Sequence, residues 1–218
     1  MNDKNWANLH KNYSKQDWIN KPSIFAEQSL DYFPEHGRLL EIGAGHGQDG
    51  IYFASHGFDV TSTDLEIMSL NKNILRTQAK AQAKISAEQL DLRNPFRFDE
   101  KFDVVYAHLS LHYFDKATTE RIFSDIYKAL KSDGILAFFT NSVDDPEYGT
   151  GTKIEEHYFE IDGIPKRYFN IEEAKRLAQH FTPLLADNNG ETYKDAAQGI
   201  HHLIRFIGKK LENIKVDI

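Results

Sequence analysis

A chain of 218 residues, of which 40% are hydrophobic and 27% charged, has the composition of a globular protein long enough to bury one core. Its net charge of -7 argues against a general affinity for nucleic acid, because neutralising phosphates requires a basic surface. The absence of cysteine excludes disulfides and thiolate metal sites, and no apolar run reaches the roughly 18 residues of a membrane span.

The N-terminal segment, residues 1–33, carries apolar residues at mostly helical spacing and has no signal-peptide core. It predicts lead-in helices, with Pro22 near the start of the second. Tyr13 and Trp18 either pack against the sheet edge or form part of a lid over a ligand site. We expect a cytoplasmic protein, a monomer or homodimer, with no nucleic-acid or membrane partner.

Residues 38–140 alternate between strand and helix patterns. The predicted elements are strand 38–42, helix 48–56, strand 58–63 ending in Asp64, helix 66–82, strand 84–90, strand 102–109, helix 118–130, a turn at 132–134 and strand 135–140. This alternation predicts a doubly wound α/β sheet with helices on both faces. In such sheets ligands bind at the carboxyl ends of the strands, where the strand order reverses.

The alternation stops after residue 140. The remaining predicted elements are loops over 141–168 with a hairpin of 158–161 and 166–169 across Asp162-Gly163, a helix at 171–181 capped by Asn170, strands at 182–193 and 201–208 joined by 194–199, and a tail at 209–218. No linker or repeat divides the chain, so we predict one domain over 1–218. Within it, residues 1–33 lead in, residues 38–140 form the ligand-binding core, and residues 141–208 form the substrate side.

A glycine-rich stretch follows the first strand. Gly43, Gly45 and Gly47 fit G-x-G-x-G, whereas a dinucleotide fingerprint needs glycine or alanine where this chain has Gln48. Either pattern alone is weak, because any tight strand-to-helix turn favours glycine. Glu41 ends the first strand, where an acid suits a ligand with an ammonium or sulfonium group and opposes a pyrophosphate.

Acidic residues end the next two strands. Asp64, about 20 residues after the first glycine, is placed to accept ribose hydroxyls, and Asp91-Leu92 could hold an adenine edge and face. Strand 4 runs into a histidine-rich and aromatic stretch, where a reacting group would lie. His112 is a candidate general base, or else a hydrogen-bonded structural histidine. Together with His108 it could bind a metal only if helical, and the stretch lacks the glutamate of zinc hydrolases, so we predict no metal site.

Five motifs occur in order: LLEIGAGHGQD, VTSTD, QLDL, DVVYAHLSLHY and LKSDGILAFF. Over residues 38–140 the chain thereby resembles the class I S-adenosylmethionine-dependent methyltransferases. Its lead-in and tail are similar to those of the small-molecule, tellurite-resistance-like branch. The resemblance implies a Rossmann-like sheet of seven strands in the order 3-2-1-4-5-7-6, with strand 7 antiparallel.

The resemblance also implies S-adenosyl-L-methionine as cofactor and S-adenosyl-L-homocysteine as product. The glycines would pass beneath the methionine part, Asp64 would bind the ribose, and Asp91 would bind the adenine amino group. The implied cofactor-binding residues are Glu41, Gly43, Ala44, Gly45, Gly47, Asp64, Leu65, Asp91, Leu92, His108 and Tyr13.

A methyl acceptor would lie beyond strand 4. The candidate substrate residues are Trp18, Tyr113, His157 and Tyr168, and Tyr106, Phe114 and Tyr158 are further candidate walls, because aromatic faces suit a cationic methyl group. Enzymes that methylate base amino groups resemble one another in an Asn/Asp-Pro-Pro-Tyr stretch, where this chain has His-Leu-Ser-Leu. We therefore predict a small-molecule acceptor. The alternatives are an NAD(P)-dependent oxidoreductase and a non-catalytic S-adenosylmethionine-binding protein.

Overall fold

The computed structural model describes residues 21–78, 84–99, 101–193 and 202–211. The predictions for Tyr13 and Trp18, for the connection at 194–199 and for the last residues of the tail lie outside this part of the chain.

The described residues form five α-helices and ten strands. The helices are α1 (Ile24–Ser29), α2 (Gln48–Ser55), α3 (Met68–Gln78), α4 (Lys116–Ala129) and α5 (Ile171–Leu177). The strands are β1 (Gly37–Ile42), β2 (Phe58–Asp64), β3 (Ile85–Gln89), β4 (Phe102–His108), β5 (Leu130–Thr140), β6 (Thr152–Glu155), β7 (Tyr158–Ile161), β8 (Ile164–Arg167), β9 (Phe181–Gly190) and β10 (Leu203–Lys210).

Seven strands form one sheet in the order β3-β2-β1-β4-β5-β10-β9. The first five are parallel, and β10 runs antiparallel to both β5 and β9. Counted within this sheet, the order is 3-2-1-4-5-7-6 with an antiparallel seventh strand, which confirms the predicted fold class. The order reverses between β1 and β4, so the carboxyl ends of those two strands border the expected ligand site.

The central strands are buried on both faces. In β4, Val104, Val105, Tyr106 and Ala107 have no exposed surface. Alternate residues enter opposite cores: Val105 joins the cluster that includes α4, while Val104 and Tyr106 join the one that includes α1 and α2. This two-sided burial explains why the strand has a continuous apolar sequence rather than an alternating one.

Several element boundaries differ from the prediction. Strand β9 ends at Gly190 rather than 193, and β10 runs to Lys210, two residues into the predicted tail. Strand β5 begins at Leu130, because Phe102 pairs with Leu130 and Val104 with Ile135; the predicted turn is a bulge opposite Asp103 inside the strand. Helix α5 ends at Leu177, since Phe181 already begins β9. Helix α4 starts at Lys116, with Asp115 as its N-cap.

The predicted 141–168 loop contains a small sheet in the order β6-β7-β8. The hairpin across Asp162 and Gly163 is confirmed, and both turn residues have positive φ, at 52° and 74°. Its second strand is Ile164–Arg167 rather than the predicted 166–169, because Ile161 pairs directly with Ile164. Strand β6 was missed because its residues are mostly exposed and show no apolar alternation. The predicted cap is confirmed: the Asn170 side chain accepts a hydrogen bond from the Glu173 amide at 2.8 Å.

Candidate functional site

A cleft of about 610 Å³ lies at the carboxyl ends of β1, β2 and β4. Most of the residues predicted to bind a cofactor line it: Glu41, Gly43, Ala44, Gly45, Asp64, Leu65, Asp91, Leu92 and His108. Gly47 is not in the lining and instead forms the N-cap of α2. The switch point of the sheet therefore gathers residues that lie up to 67 positions apart, from Glu41 to His108, into one wall.

The glycine loop is held tightly against the sheet. The amides of Gly43 and Ala44 both donate to the Thr63 carbonyl at 2.8 Å, and Gly43 has φ +73°. A Cβ on Gly43 would lie 2.2 Å from the Ser110 Cβ, so only glycine fits there. Gly45 has φ +56°, yet a Cβ on it would meet no atom within 4 Å, so its face opens on the cleft.

Asp64, at the end of β2, is hydrogen-bonded to this loop. Its Oδ2 accepts a hydrogen bond from the Gly45 amide at 2.8 Å, and its Oδ1 accepts one from the Glu66 amide at 3.0 Å. Each carboxylate oxygen has a second lone pair, so both can accept a further hydrogen bond from a ligand.

Glu41 lies beneath the start of α2 and is only 3% exposed. Its Oε1 accepts from the Gly50 amide at 3.1 Å and its Oε2 from the Ser62 hydroxyl at 2.5 Å. Burial, followed by the charge of Asp49, raises the pKa of Glu41 to about 8. The side chain is therefore mostly protonated at neutral pH, which weakens the prediction that its charge attracts a sulfonium.

A buried network that the sequence analysis missed joins α1 to the cleft. Asp49, in the first turn of α2, accepts hydrogen bonds from the Ser23 amide at 2.6 Å, the Ser23 hydroxyl at 2.8 Å and the Tyr106 hydroxyl at 2.8 Å. Burial raises the pKa of Tyr106 well above its ordinary value. Tyr106 is thus a neutral donor inside the core and does not line the cleft as predicted. The available signal was an acidic residue directly after the glycine loop.

Asp91 is engaged by a neighbour on its own loop. The Arg93 guanidinium donates to it from Nε at 2.8 Å and from Nη2 at 2.7 Å, and these bonds hold the pKa of Asp91 below its ordinary value. Arg93 is half exposed, so this ion pair contributes little stability and can be shared with a ligand. Arg121 of α4 fixes the loop by donating to the carbonyls of Leu92 and Asn94.

The end of β4 turns sharply into the cleft wall. Leu109 has φ +50°, which is unusual for a side chain branched at Cγ, and its amide donates to the Phe139 carbonyl at 2.9 Å. The His108 ring stacks on Phe139 with centroids 4.9 Å apart. The Ser110 hydroxyl donates to the Ile42 carbonyl at 2.7 Å, which ties the turn to the end of β1.

His112 lines the cleft but is only 3% exposed, and its Nδ1 has no hydrogen-bond partner. Burial, followed by the nearby Lys166 and His108, lowers the pKa of His112 to about 3. The ring is therefore neutral at physiological pH and poorly suited to take a proton there. This environment does not favour the general base predicted from the sequence.

The small sheet forms another part of the cleft wall, through Ile164, Pro165 and Lys166. Buried Arg167 of β8 donates to the Phe114 carbonyl at 2.9 Å and pairs with Glu155 of β6, while the Tyr158 hydroxyl donates to the Tyr113 carbonyl at 3.0 Å. These contacts fix the chain after β4, so that Tyr113 and Phe114 line the cleft.

Other predicted residues lie elsewhere. His157 is at the β6–β7 turn, where its Nδ1 bonds the Tyr148 hydroxyl at 2.7 Å and its ring borders a second, charged cavity. Tyr168 is fully buried, and neither residue lines the cleft. The prediction that they contact an acceptor is therefore not supported, because the hairpin directs them away. Tyr158 likewise stacks on Arg167 rather than lining the cleft.

Two further features concern the described part of the chain. No cluster of three or more His, Asp or Glu side chains there is arranged to hold a metal ion. No helix there is both long enough and apolar enough to cross a bilayer.

The pKa of Glu41 predicts a pH-dependent stability. Between about pH 4.5 and 8 the folded protein keeps a proton that the unfolded chain releases, so the free energy of unfolding should fall as pH rises. Glu41→Gln abolishes this titration. Relative to the wild type, the variant should gain on the order of 3 kcal/mol across this window, measured by urea unfolding. Glu88→Gln, at an exposed position, controls for the lost charge. If the difference in unfolding free energy between Glu41→Gln and the wild type did not change with pH, the raised pKa would be contradicted.

Comparison with known proteins agrees with this geometry. Residues 40–136 match a family model described as a methyltransferase domain. Over 119 residues the chain is 35% identical to YqeM, a provisionally named methyltransferase of Bacillus subtilis strain 168. That match covers 50% of this chain and 44% of YqeM, so the chain spans about half the length of this relative.

Solved structures share the fold over most of the chain. A Burkholderia thailandensis 1,6-didemethyltoxoflavin-N1-methyltransferase, crystallised with 1,6-didemethyltoxoflavin and S-adenosylhomocysteine, superposes with a TM-score of 0.71 at 17% identity, covering 96% of this chain and 85% of that one. TehB from Haemophilus influenzae gives a TM-score of 0.64 at 17% identity, covering 85% and 61%. Identities this low show the fold alone, so the predicted branch stays a prediction. Residues 40–136 therefore match a methyltransferase-domain family, and the chain has the fold of S-adenosylmethionine-dependent methyltransferases of known structure.

Proposed function

We propose that this protein transfers a methyl group from S-adenosylmethionine to a small-molecule acceptor. The observation that carries the proposal is a single cleft, in which the glycine loop and Asp64 form one end and the segment after β4 forms the other. Donor and acceptor bound in this one space would meet without crossing a solvent-filled gap.

The donor end fits the cofactor. Asp64 would accept the ribose hydroxyls with its remaining lone pairs, and the open face of Gly45 would let the methionine part approach the backbone. Leu65 and Leu92 would contact the adenine ring. Asp91 would bond the adenine amino group while Arg93 shares its carboxylate.

Two buried acids would act through the loop rather than by touching the cofactor. Glu41 bonds the Gly50 amide, and Asp49 anchors Ser23 at the start of α1, so both fix the helix that carries the glycine loop. Both side chains are buried, and their oxygens accept hydrogen bonds from the chain itself. His108 would contact the methionine part chiefly as a wall, since its ring is stacked on Phe139.

When bound, S-adenosylmethionine supplies a methyl group already activated on a sulfonium sulfur. The protein then has to hold the acceptor in line with that methyl group and keep water out. Buried His112 and the wall formed by Tyr113 and Phe114 would do this at the acceptor end. A base would be required only for acceptors that must lose a proton.

A small-molecule acceptor is favoured over a macromolecule by the enclosing wall of the β6–β8 sheet, which borders the cleft through Ile164, Pro165 and Lys166. The Burkholderia thailandensis protein, which has the same fold, is named a 1,6-didemethyltoxoflavin-N1-methyltransferase and was crystallised with that compound.

Calorimetric titration separates this proposal from its rivals. We expect S-adenosylhomocysteine to bind and NADH and NADPH not to bind. Tight nicotinamide binding without any response to S-adenosylhomocysteine would overturn the proposal in favour of an oxidoreductase. Cofactor binding without methyl transfer to any member of a broad panel of small molecules would favour a non-catalytic binding protein.

Asp64→Ala should weaken S-adenosylhomocysteine binding by about 1–3 kcal/mol, because the ribose hydroxyls lose a charged acceptor. Calorimetry gives the affinity, and thermal melting shows whether the loop survives the loss of the Gly45 and Glu66 hydrogen bonds. Asp59→Ala, an exposed position on the same strand, is the matched control. Unchanged affinity in a folded Asp64→Ala protein would contradict the ribose assignment.

Gly45→Ala provides a second test with a close control. Gly45 and Gly163 both have positive φ and open space at the Cβ position, but only Gly45 lines the cleft. Both alanine variants should lose similar stability from backbone strain, about 1 kcal/mol. Only Gly45→Ala should weaken S-adenosylhomocysteine binding, by about tenfold, since its methyl group would occupy ligand space. Equal affinities for the two variants would place the cofactor elsewhere.

A further inference from the structure

The acceptor end of the cleft contains a buried polar group that no protein atom satisfies. His112 lies in the cleft wall with only 3% of its surface exposed, and its Nδ1 has no hydrogen-bond partner. Burying a polar nitrogen without a partner is costly, and such groups in folded proteins are nearly always satisfied. Nδ1 is itself enclosed, with almost no accessible surface, so a ligand in the cleft reaches the ring through its other nitrogen, Nε2.

The charges around the cleft select against an anionic ligand. Apart from histidines and tyrosines, the ionisable residues in its lining are the acids Glu41, Asp49, Asp64, Asp91, Asp145 and Glu147 and the bases Lys21, Arg93 and Lys166. Two of the three bases are already paired, Arg93 with Asp91 and Lys166 with Glu147. Glu41 is mostly protonated at neutral pH, which leaves Asp49, Asp64 and Asp145 against Lys21. This smaller excess of negative charge repels an anion and stabilises a positive charge that develops in the cleft.

Part of the cleft lining consists of aromatic and other apolar side chains. They are Tyr113, Phe114, Pro146, Ile164, Pro165 and Tyr193. Planar aromatic ligands pack well against such surfaces, and aromatic faces also attract a cation. The shape and the charge therefore agree on a flat ligand that is neutral when it binds and positive after methylation.

His112 is also unsuited to remove a proton. Lys166 of β8 and His108 of β4 are the nearby groups that disfavour its protonation, and with burial they lower the pKa of the imidazole to about 3. An acceptor served by this residue must bring a lone pair that is available without deprotonation.

We propose that the acceptor is a neutral, flat nitrogen heterocycle, which His112 orients by a hydrogen bond without taking its proton. This inference rests on the proposed function. The lone pair of the ring nitrogen forms a bond to the methyl carbon as the carbon–sulfur bond breaks, and that electron pair stays on sulfur. The products are an N-methylated heterocyclic cation and a neutral thioether, and no proton moves.

A matched panel tests the acceptor class. After S-adenosylhomocysteine binding has been established by calorimetry, the wild-type protein is assayed with isoquinoline, quinazoline and pteridine against naphthol and naphthoate. The two naphthalene compounds keep the flat bicyclic frame but present a phenol or an anion. We expect N-methyl products from the heterocycles only, identified by mass spectrometry. Methylation of naphthol or naphthoate, or no methylation of any heterocycle by a cofactor-binding protein, overturns the inference. Failure of cofactor binding instead overturns the proposed function.

His112 variants test how the ring acts. His112→Leu removes both nitrogens, whereas His112→Asn and His112→Gln keep a polar atom near the position of Nδ1 or Nε2. Binding of the heterocycle that the wild-type protein methylates is measured by calorimetry in the presence of S-adenosylhomocysteine. His112→Leu should weaken this affinity by about tenfold, and at least one amide variant should bind within about threefold of the wild type.

The pH dependence separates orientation from proton transfer. For an orienting residue, the losses should fall on KM rather than kcat, and the wild-type kcat should be flat from about pH 6 to 8, above the pKa of the heterocycle. Two results would make His112 a base and overturn the inference. One is a kcat that falls in all three variants; the other is a wild-type kcat that decreases towards pH 6, with this decrease absent from the amide variants. Should His112→Leu fail to fold by thermal melting, the amide variants and the acceptor panel still decide.

Discussion

The cleft depends on the close approach of the ends of three strands, β1, β2 and β4. Thr63, near the end of β2, accepts hydrogen bonds from the amides of Gly43 and Ala44, while Ser110 after β4 bonds the Ile42 carbonyl and presses against Gly43. No side chain fits at Gly43, so the ends of β1, β2 and β4 meet at van der Waals distance. This contact positions the glycine loop, whereas Arg121 holds the loop that carries Asp91 and Leu92.

Buried acids support that contact from below. Glu41 bonds the first turn of α2 and Asp49 bonds α1, so the helix after the glycine loop is held by carboxyl groups that do not face solvent. Protonation removes much of the desolvation cost at Glu41, since its pKa lies near 8. The same burial that makes the loop rigid also removes the negative charge that a simple sequence argument would place beside a sulfonium.

The acceptor end is built differently, from a segment outside the repeating strands and helices. The three-stranded β6–β8 sheet is attached to the turn after β4 by Arg167 and Tyr158, which bond the backbone carbonyls of Phe114 and Tyr113. Because the bonded groups are backbone carbonyls, these contacts fix the position of the wall but do not require particular residue types at Tyr113 and Phe114. The wall can therefore change its chemistry while the donor end, which is fixed by glycine packing, stays the same.

The sequence by itself determined the sheet and most of the residues that gather at the carboxyl ends of its strands. Apolar strand runs, the spacing of Gly43, Gly45 and Gly47, and acids at the ends of β2 and β3 are local patterns, and the carboxyl ends of parallel strands must meet at one edge. Only the tertiary structure decided what each side chain faces. His157 and Tyr168 point away from the cleft, Tyr106 donates to Asp49, and His112 is neutral, because packing between distant segments sets direction and dielectric environment. Those quantities depend on contacts between residues far apart in the chain, which periodicity and spacing do not encode.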